Sequence, residues 1–429
     1  MRIQNNMWKA VILIGGPDKG TRFRPLSLDV PKPIFPVAGI PMIQHHIEAC
    51  SKVPEIKEVN LIGFFHYTEM LKSFITMAKQ KYSLSIKYLS EYGPLGTAGG
   101  LYHFRDQILS GTPEAFFVFN SDVCCNFPLS DILHFHQSKN GDNRITIVAT
   151  EATHSESMSY GCLVEDENTN EATHYVEKPE TFVSSLINCG VYVFTPDVLR
   201  CYMAEVFRQH QEESLEMGMG DSNFPDAIKL ETEILAGYAG SGKMFVYKTK
   251  EIWGQIKSAA SAIHANKLYL SVYRRTKPEV LAKKNPDGPI IRGDVFIHES
   301  ASVDPTAVLG PNVTLGENVE IGAGVRVSNS IVLSGAKLND HCCVLNTIIG
   351  WKCKVGEWSR VEGTAQQPDP NAPYSKIISG QLFNEDGRLI PSITVLGREV
   401  DVAPEIIILN SIVLPNKNIH ANSKNQIIL

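Results

Sequence analysis

Residues 295–333 read VFIHESASVDPTAVLGPNVTLGENVEIGAGVRVSNSIVL. Within this stretch Ile297, Val303, Leu309, Leu315, Ile321, Val327 and Leu333 recur at every sixth position, and Gly310, Gly316 and Gly322 each follow an aliphatic step. A period of six fits neither the 3.6 of an amphipathic helix nor the 2 of a half-buried strand. It fits a left-handed parallel β-helix, in which three hexads make one triangular coil and the aliphatic side chains stack inside. The ladder slips after Leu333 and resumes at Ile349-Gly350, Val355-Gly356 and Val361. A longer echo begins at Asn329, Asn346 and Asn410, each followed by Ser or Thr and then aliphatics. A β-helix is therefore expected over 290–429. One insertion, 363–391, lacks the hexads; loops of that length are functional or solvent-exposed, so it is either a tolerated surface loop or an arm that reaches a partner.

Upstream, from 8 to about 270, the grammar changes. Short β-branched or aromatic runs at 10–14, 59–63, 86–89, 116–119, 145–149, 192–194 and 244–247 alternate, early on, with helical stretches at 43–50 and 68–79. Strand–helix alternation predicts βαβ units and a mostly parallel sheet, whose ligands lie beyond the carboxyl ends of the strands. Residues 205–231, polar and rich in Met and Gly, read as an excursion inserted into that domain.

The composition excludes several classes. A net charge of −6 on 429 residues does not suit a protein built to grip nucleic-acid phosphates or an anionic membrane. No apolar run approaches the length of a membrane span, and the run at 10–14 is too short for a secretory leader. The nine cysteines are scattered and form no CxxC pair, so reduced, buried thiols in a cytoplasmic protein are expected.

The first strand ends in Gly15-Gly16-Pro17-Asp18-Lys19-Gly20-Thr21-Arg22, a glycine-rich turn whose backbone N–H groups can cradle phosphate oxygens. It matches neither the P-loop nor the GxGxxG fingerprint. Arg22, Arg24 and Lys32 come close behind. On charge alone this stretch is either a polyphosphate cradle or a solvated basic loop.

The stretch from Gly15 to Pro33 resembles the sugar-1-phosphate nucleotidylyltransferases, whose opening motif is close to GGxGTRLxPLTxxxPKP. The resemblance continues in order through Tyr92-Gly-Pro-Leu-Gly96-Thr97-Ala-Gly99, Asn120-Ser-Asp122, Val176-Glu177-Lys178-Pro179 and Asn188-Cys-Gly190-Val-Tyr192, and takes in the β-helix. Within that family the chain is most similar to the GDP-mannose pyrophosphorylases (mannose-1-phosphate guanylyltransferases), in their regulatory alpha branch. The fold so implied is a nucleotidyltransferase-like (GT-A/Rossmann-like) α/β domain followed by the left-handed β-helix.

The resemblance also implies roles. Gly15 and Gly16 form the phosphate turn, and Arg22 and Lys32 hold the triphosphate. Glu91, Gly96 and Thr97 belong to the base-recognition loop. Glu177 accepts from sugar hydroxyls, Lys178 pairs with the sugar phosphate, and Asn188 and Gly190 line the sugar pocket. Asn120 leads the motif in which Asp122 is a Mg²⁺ ligand.

Two departures stand out. Three residues separate Gly16 from Gly20-Thr21-Arg22, where the family has one. The late motif reads Trp253-Gly-Gln255-Ile-Lys257, whereas active relatives carry Asp, a second metal carboxylate, at the Gln255 position. Mg²⁺ held by one carboxylate is bound weakly. Gln255 can still hydrogen-bond a ribose or phosphate and counts among the nucleotide-sugar-binding residues. Arg22 and Lys32 are remnants of a catalytic set in which no residue is assigned a confident role. The reading that results is a regulatory subunit. It binds GDP-mannose, self-associates, and feedback-inhibits a catalytic beta subunit, which controls the GDP-mannose supply for glycosylation. The alternative is an active mannose-1-phosphate guanylyltransferase, since Arg22, Lys32 and Asp122 all survive. A β-helix acyltransferase using His298 or His341 as base is a distant third.

Overall fold

The computed structural model describes residues 7–17, 21–66, 68–139, 141–216, 227–365, 383–385 and 389–429. Contacts divide the chain into two compact units. One is Met1–Lys19 with Ile43–Trp253, and the other joins Gly20–Met42 to Gly254–Pro370 and Ile377–Leu429.

The first unit is built on a nine-stranded sheet. Its strands are β1 (Trp8–Gly15), β2 (Ile56–Gly63), β3 (Ser85–Ser90), β4 (Ala115–Asn120), β5 (Ile145–Glu151), β6 (Gly161–Glu165), β7 (Ala172–Glu177), β8 (Leu186–Phe194) and β9 (Met244–Lys248). The order β7-β6-β8-β4-β1-β2-β3 has β1 to β4 parallel, with β5 bridging β8 and β9. All seven apolar runs expected as strands lie in this sheet; β6 and β7 come in addition, because their mixed residues line one half-exposed edge. β1 and β4 are buried along almost their whole length, which is why they read as continuous apolar runs.

Helices Met42–Ser51 and Glu69–Tyr82 obey the expected spacing; the second is capped by the Thr68 hydroxyl, which accepts from the Leu71 N–H. The stretch 205–231 is less of an excursion than its polarity implies. Helix Ala204–Glu216 stacks Phe207 on Tyr102 at 4.2 Å, and Ile228 and Leu230 are fully buried in the sheet's core. Residues 217–226, the Met/Gly-rich centre of that stretch, lie outside the described residues.

The second unit carries the β-helix, three parallel sheets of seven, seven and six short strands. Early coils step by 18 residues, pairing Val295 with Val313 and Val308 with Arg326. Later coils step by 17, pairing Leu315 with Val332 and Val327 with Val344. This lost residue is the slip in the hexad ladder. Val332, not Leu333, sits in register beneath Leu315 and joins the solenoid core.

Left-handed residues recur in all three rows of corners. Asn312, Asn329, Asn346, Asn410 and Asn425 form one such row. Asn318, Gly335, Lys352, Glu399 and Asn416 form the second, and Gly324, His341, Trp358 and Glu405 the third. Asparagine tolerates that conformation better than other residues bearing a Cβ, which explains the echo beginning at Asn329, Asn346 and Asn410. Thr347 pairs directly with Thr394, so the 363–391 segment leaves and re-enters the coil without disturbing register. Within that segment, 366–382 and 386–388 lie outside the described residues.

Helix Ala259–Thr276, capped by Ser258, precedes the solenoid and belongs with it. Gly20–Met42 belongs there as well. Its hairpin, Pro36–Val37 with Ile40–Pro41, turns through Ala38 and Gly39, both at positive φ. The Ala38 N–H donates to the buried Asn266 Oδ1 at 2.8 Å.

No cysteine is paired in a disulfide. Burial pushes the thiols of Cys50, Cys342 and Cys353 up to about 12, which leaves them protonated and unreactive. Among the described residues no helix is long and apolar enough to cross a membrane.

Candidate functional site

In a sheet ordered β3-β2-β1-β4 the chain runs outward in one direction and then crosses to the far side of β1. The crevice beyond the carboxyl ends of β1 and β4 is the topological switch point. β1 ends in Gly15, followed by Gly16, and β4 ends at Asn120, followed by Ser121 and Asp122. Leu13 pairs with Asn120, and the Ser121 N–H donates to the Leu13 carbonyl at 3.1 Å. On the other flank the Phe64 N–H donates to the Gly15 carbonyl at 2.8 Å, and the Glu91 N–H to the Gly63 carbonyl at 2.9 Å. Four strand ends thus bring Gly15, Gly16, Glu91, Asn120 and Asp122 to one rim.

Two carboxyls here have displaced affinities for protons. Burial lifts Glu91 to about 7, and a Cβ at Gly100 would come within 2.2 Å of its Oε1. Burial also raises Glu231, partly offset by a hydrogen bond from Thr97. Thr97 stands in the first turn of helix Gly96–His103, donating to Glu231 Oε2 at 2.8 Å and accepting from the Leu230 N–H at 2.7 Å. Glu231 is a member that sequence reasoning missed. It lay in the polar stretch 205–231, and nothing in that stretch marked it.

A hydrogen-bonded chain links β7 to β8. The Gly190 N–H donates to Asn188 Oδ1 at 2.8 Å, which turns the Asn188 amide nitrogen toward Tyr175 (3.1 Å) and Tyr192 (2.8 Å). Tyr175 in turn donates to Glu177 Oε2 at 2.9 Å. Burial pushes both phenols far up, so both hydroxyls keep their protons; Tyr175 donates to Glu177, and both accept from Asn188. The other oxygen of Glu177 pairs with Lys178 Nζ at 3.3 Å, and that ammonium is 61% exposed. Tyr175 also escaped sequence reasoning, although its spacing of two from Glu177 puts both on one face of a strand.

Gly190 has φ of 70°, and a Cβ there would meet Asn120 Nδ2 at 2.9 Å. Only glycine allows β8 to pass so close to the end of β4. The Cys189 carbonyl accepts from the Trp253 indole at 2.9 Å. Asp122 lies close enough to Tyr160 to help raise that phenol to about 12, after burial and the charge of Glu156. Among the described residues no three His, Cys, Asp or Glu side chains converge as a metal cage. Asp122 offers one carboxylate, the kind of donor used by Mg²⁺ that arrives on substrate phosphates.

Arg22, Lys32 and Gln255 belong to the other unit. Arg22 sits in the 3₁₀ turn Thr21–Phe23 and Lys32 in the 3₁₀ turn Lys32–Ile34, where Pro33 fixes the backbone. Lys32 Nζ lies 6.0 Å from the centre of the buried Phe23 ring. Gln255 closes the strand Trp253–Gln255, and its carbonyl accepts from the Lys257 N–H at 3.2 Å. Of the lengthened turn, Pro17 is exposed; Asp18, Lys19 and Gly20 lie outside the described residues.

The sequence matches known proteins along nearly its whole length. A family model described as nucleotidyl transferase matches residues 9–228, and one described as GMPPB C-terminal domain matches residues 291–428. Mannose-1-phosphate guanyltransferase alpha-A of Xenopus laevis is 58% identical over 424 residues, covering 99% of this chain and all of its own length. The mannose-1-phosphate guanylyltransferase regulatory subunit alpha of Xenopus tropicalis is likewise 58% identical over 424 residues, with the same coverage. Its Homo sapiens counterpart is 54% identical over 424 residues, again 99% and 100% of the two chains. This chain therefore belongs to the mannose-1-phosphate guanylyltransferase family of nucleotidyl transferases, in the branch of the regulatory alpha subunits.

Proposed function

We propose that this protein binds GDP-mannose without turning over its precursors, and that the bound nucleotide sugar lets it restrain a catalytic subunit. The observation that carries the reading is Gln255, an amide where active guanylyltransferases carry the second metal carboxylate. Phosphoryl transfer depends on metal and cationic charge to stabilise charge building on the phosphoryl oxygens. Removing one carboxylate weakens Mg²⁺ while leaving the recognition groups in place. Those groups form a polar set suited to a nucleotide sugar. Glu177, held by Tyr175, accepts from sugar hydroxyls; Lys178 pairs with the sugar phosphate; Asn188 and Gly190 shape the sugar pocket. Glu91, Gly96 and Thr97 face the base, and Gly15, Gly16, Arg22 and Lys32 take the phosphates. Asp122 would hold any Mg²⁺ that enters on them, and the ion would supply charge neutralisation.

A regulatory subunit needs a catalytic partner, here a beta subunit, and the repetitive flat sides of a β-helix suit both that contact and self-association. Restraint of the partner requires that GDP-mannose bind one arrangement of the complex more tightly than another. The insertion 363–391 is the segment through which it acts, so its deletion abolishes inhibition and spares GDP-mannose binding. The alternative, an active guanylyltransferase, rests on the survival of Arg22, Lys32 and Asp122. One experiment separates the two: the purified chain with Mg²⁺, GTP and mannose 1-phosphate, assayed for pyrophosphate release, beside calorimetry with GDP-mannose. Binding without turnover is expected; turnover at rates normal for an enzyme overturns the regulatory reading.

A further inference from the structure

The loop that carries Arg22 and Lys32 is fastened to the β-helix at three points. The hairpin tip is the first. The Ala38 N–H donates to Asn266 Oδ1 at 2.8 Å, and the same oxygen accepts from the Thr314 hydroxyl of the solenoid at 2.7 Å. All three are buried, and among the described residues Asn266 Nδ2 has no hydrogen-bond partner, so these two bonds hold the side chain through its acceptor oxygen. Ala38 has φ of 51°, an unfavourable conformation for alanine that its bond to Asn266 helps to hold.

The second point is Gly39, at φ of 89°, where an added Cβ would fall 2.3 Å from the Phe296 ring of the first coil. The third is aromatic. Phe35 meets Trp351, beside the solenoid corner at Lys352, edge-to-face with centroids 6.0 Å apart. Phe35 also packs edge-to-face on Phe23 at 4.9 Å, and Phe23 lies beneath the Lys32 ammonium. Rings therefore pack in series from Trp351 through Phe35 to Phe23, whose face carries the Lys32 ammonium 6.0 Å from its centre, a chain of contacts of the kind that carries positional coupling.

We propose that Asn266, Phe296 and Trp351 form a latch by which the β-helix sets the position of the Arg22/Lys32 loop, which makes Asn266 and Trp351 positioning residues for recognition of the nucleotide phosphates. The phosphate part of this inference rests on the proposed function; the latch itself does not. It gives the β-helix a task inside its own chain, since whatever binds or deforms the solenoid near Trp351 or Thr314 shifts the cations that meet the ligand.

The test is hydrogen-exchange mass spectrometry on the full chain carrying Asn266→Ala, Thr314→Val or Trp351→Ala, with calorimetric titration of GDP-mannose on each. Without ligand, Asn266→Ala and Trp351→Ala are expected to speed exchange across 33–39 by about tenfold or more. Exchange in β4, which general destabilisation also accelerates, stays unchanged. Thr314→Val, a milder change that keeps side-chain volume, moves 33–39 in the same direction if Asn266→Ala fails to fold. GDP-mannose affinity is expected to fall about fivefold or more in the latch variants. Unchanged exchange at 33–39 in folded Trp351→Ala and Thr314→Val proteins overturns the latch. Faster exchange with unchanged affinity overturns its role in phosphate recognition. If the native chain binds no GDP-mannose, the functional reading fails, and the ligand-free exchange still decides the latch.

Discussion

The amide nitrogen of Asn188 donates to the hydroxyl of Tyr175 at 3.1 Å, and that hydroxyl donates in turn to Glu177 Oε2 at 2.9 Å. The orientation of Glu177 is thus set two hydrogen bonds away, on β8, one strand beyond the neighbour of β7. The Gly190 N–H fixes it by holding Asn188 Oδ1.

Tyr175→Phe removes the donor to Glu177 and leaves the ring in place. One lost hydrogen bond to a charged group costs about 1.5 kcal/mol, or roughly tenfold in GDP-mannose affinity. Calorimetry reads it directly, and circular dichroism should show an unchanged fold. Equal affinity in the native and Phe proteins would remove Glu177 from the sugar site.

Gly190→Ala forces a Cβ into the left-handed region and against Asn120. The conformational cost alone is about 1–2 kcal/mol, so the thermal midpoint should drop by several degrees. A midpoint within one degree of the native protein, read by scanning calorimetry, contradicts the close approach.

His136 donates or accepts at Nδ1 with Thr146 at 2.8 Å and lies edge-on to Trp8 at 5.8 Å. Burial, aided by the charge of Arg144, lowers its pKa from 6.5 to about 3. The folded state therefore holds this ring neutral while the unfolded chain protonates it. Its contribution is fully present above about pH 6.5 and is lost as pH falls toward 3. His136→Gln removes the titration, so denaturant midpoints should depend less steeply on pH in that window. An unaltered slope means another group governs the acid limb.

At the solenoid corner, Asn329 sits at φ of 44° and accepts from Asn312 Nδ2 at 2.9 Å. Asn329→Ala loses both the bond and the tolerance for that conformation, about 1–2 kcal/mol, whereas Asn329→Gly loses the bond and relieves the backbone. Chemical denaturation should rank native, Gly, then Ala. Ala equal to Gly means that backbone conformation contributes nothing there.

Gln255→Asp restores the missing carboxylate. Mg²⁺-dependent pyrophosphate release should rise above that of the native chain, which a coupled phosphate assay detects. No rise at all places the block to turnover elsewhere, with the lengthened turn after Gly16 as the next place to look.

Local pattern made much of this architecture legible. The hexads announced a solenoid because each aliphatic faces the interior once per side of the triangle, so burial is written into sequence at fixed spacing. The buried strands β1 and β4 were equally plain, since burial on both faces leaves no polar alternation. The ordered motifs from Gly15 to Gly190 named the candidate residues, because strand ends and tight turns are short-range features.

Other features depend on partners far along the chain, and no local pattern carries them. The one-residue contraction that puts Val332 rather than Leu333 beneath Leu315 appears only when coils are paired. Glu231 gained its displaced proton affinity from burial beside Thr97, which lies far from it in sequence. Nothing in the local sequence marks Phe35, Ala38 and Gly39 as an anchored hairpin; Asn266, Phe296 and Trp351 make them one. Burial and hydrogen-bond pairing are properties of three-dimensional neighbours, and folding alone brings those neighbours together.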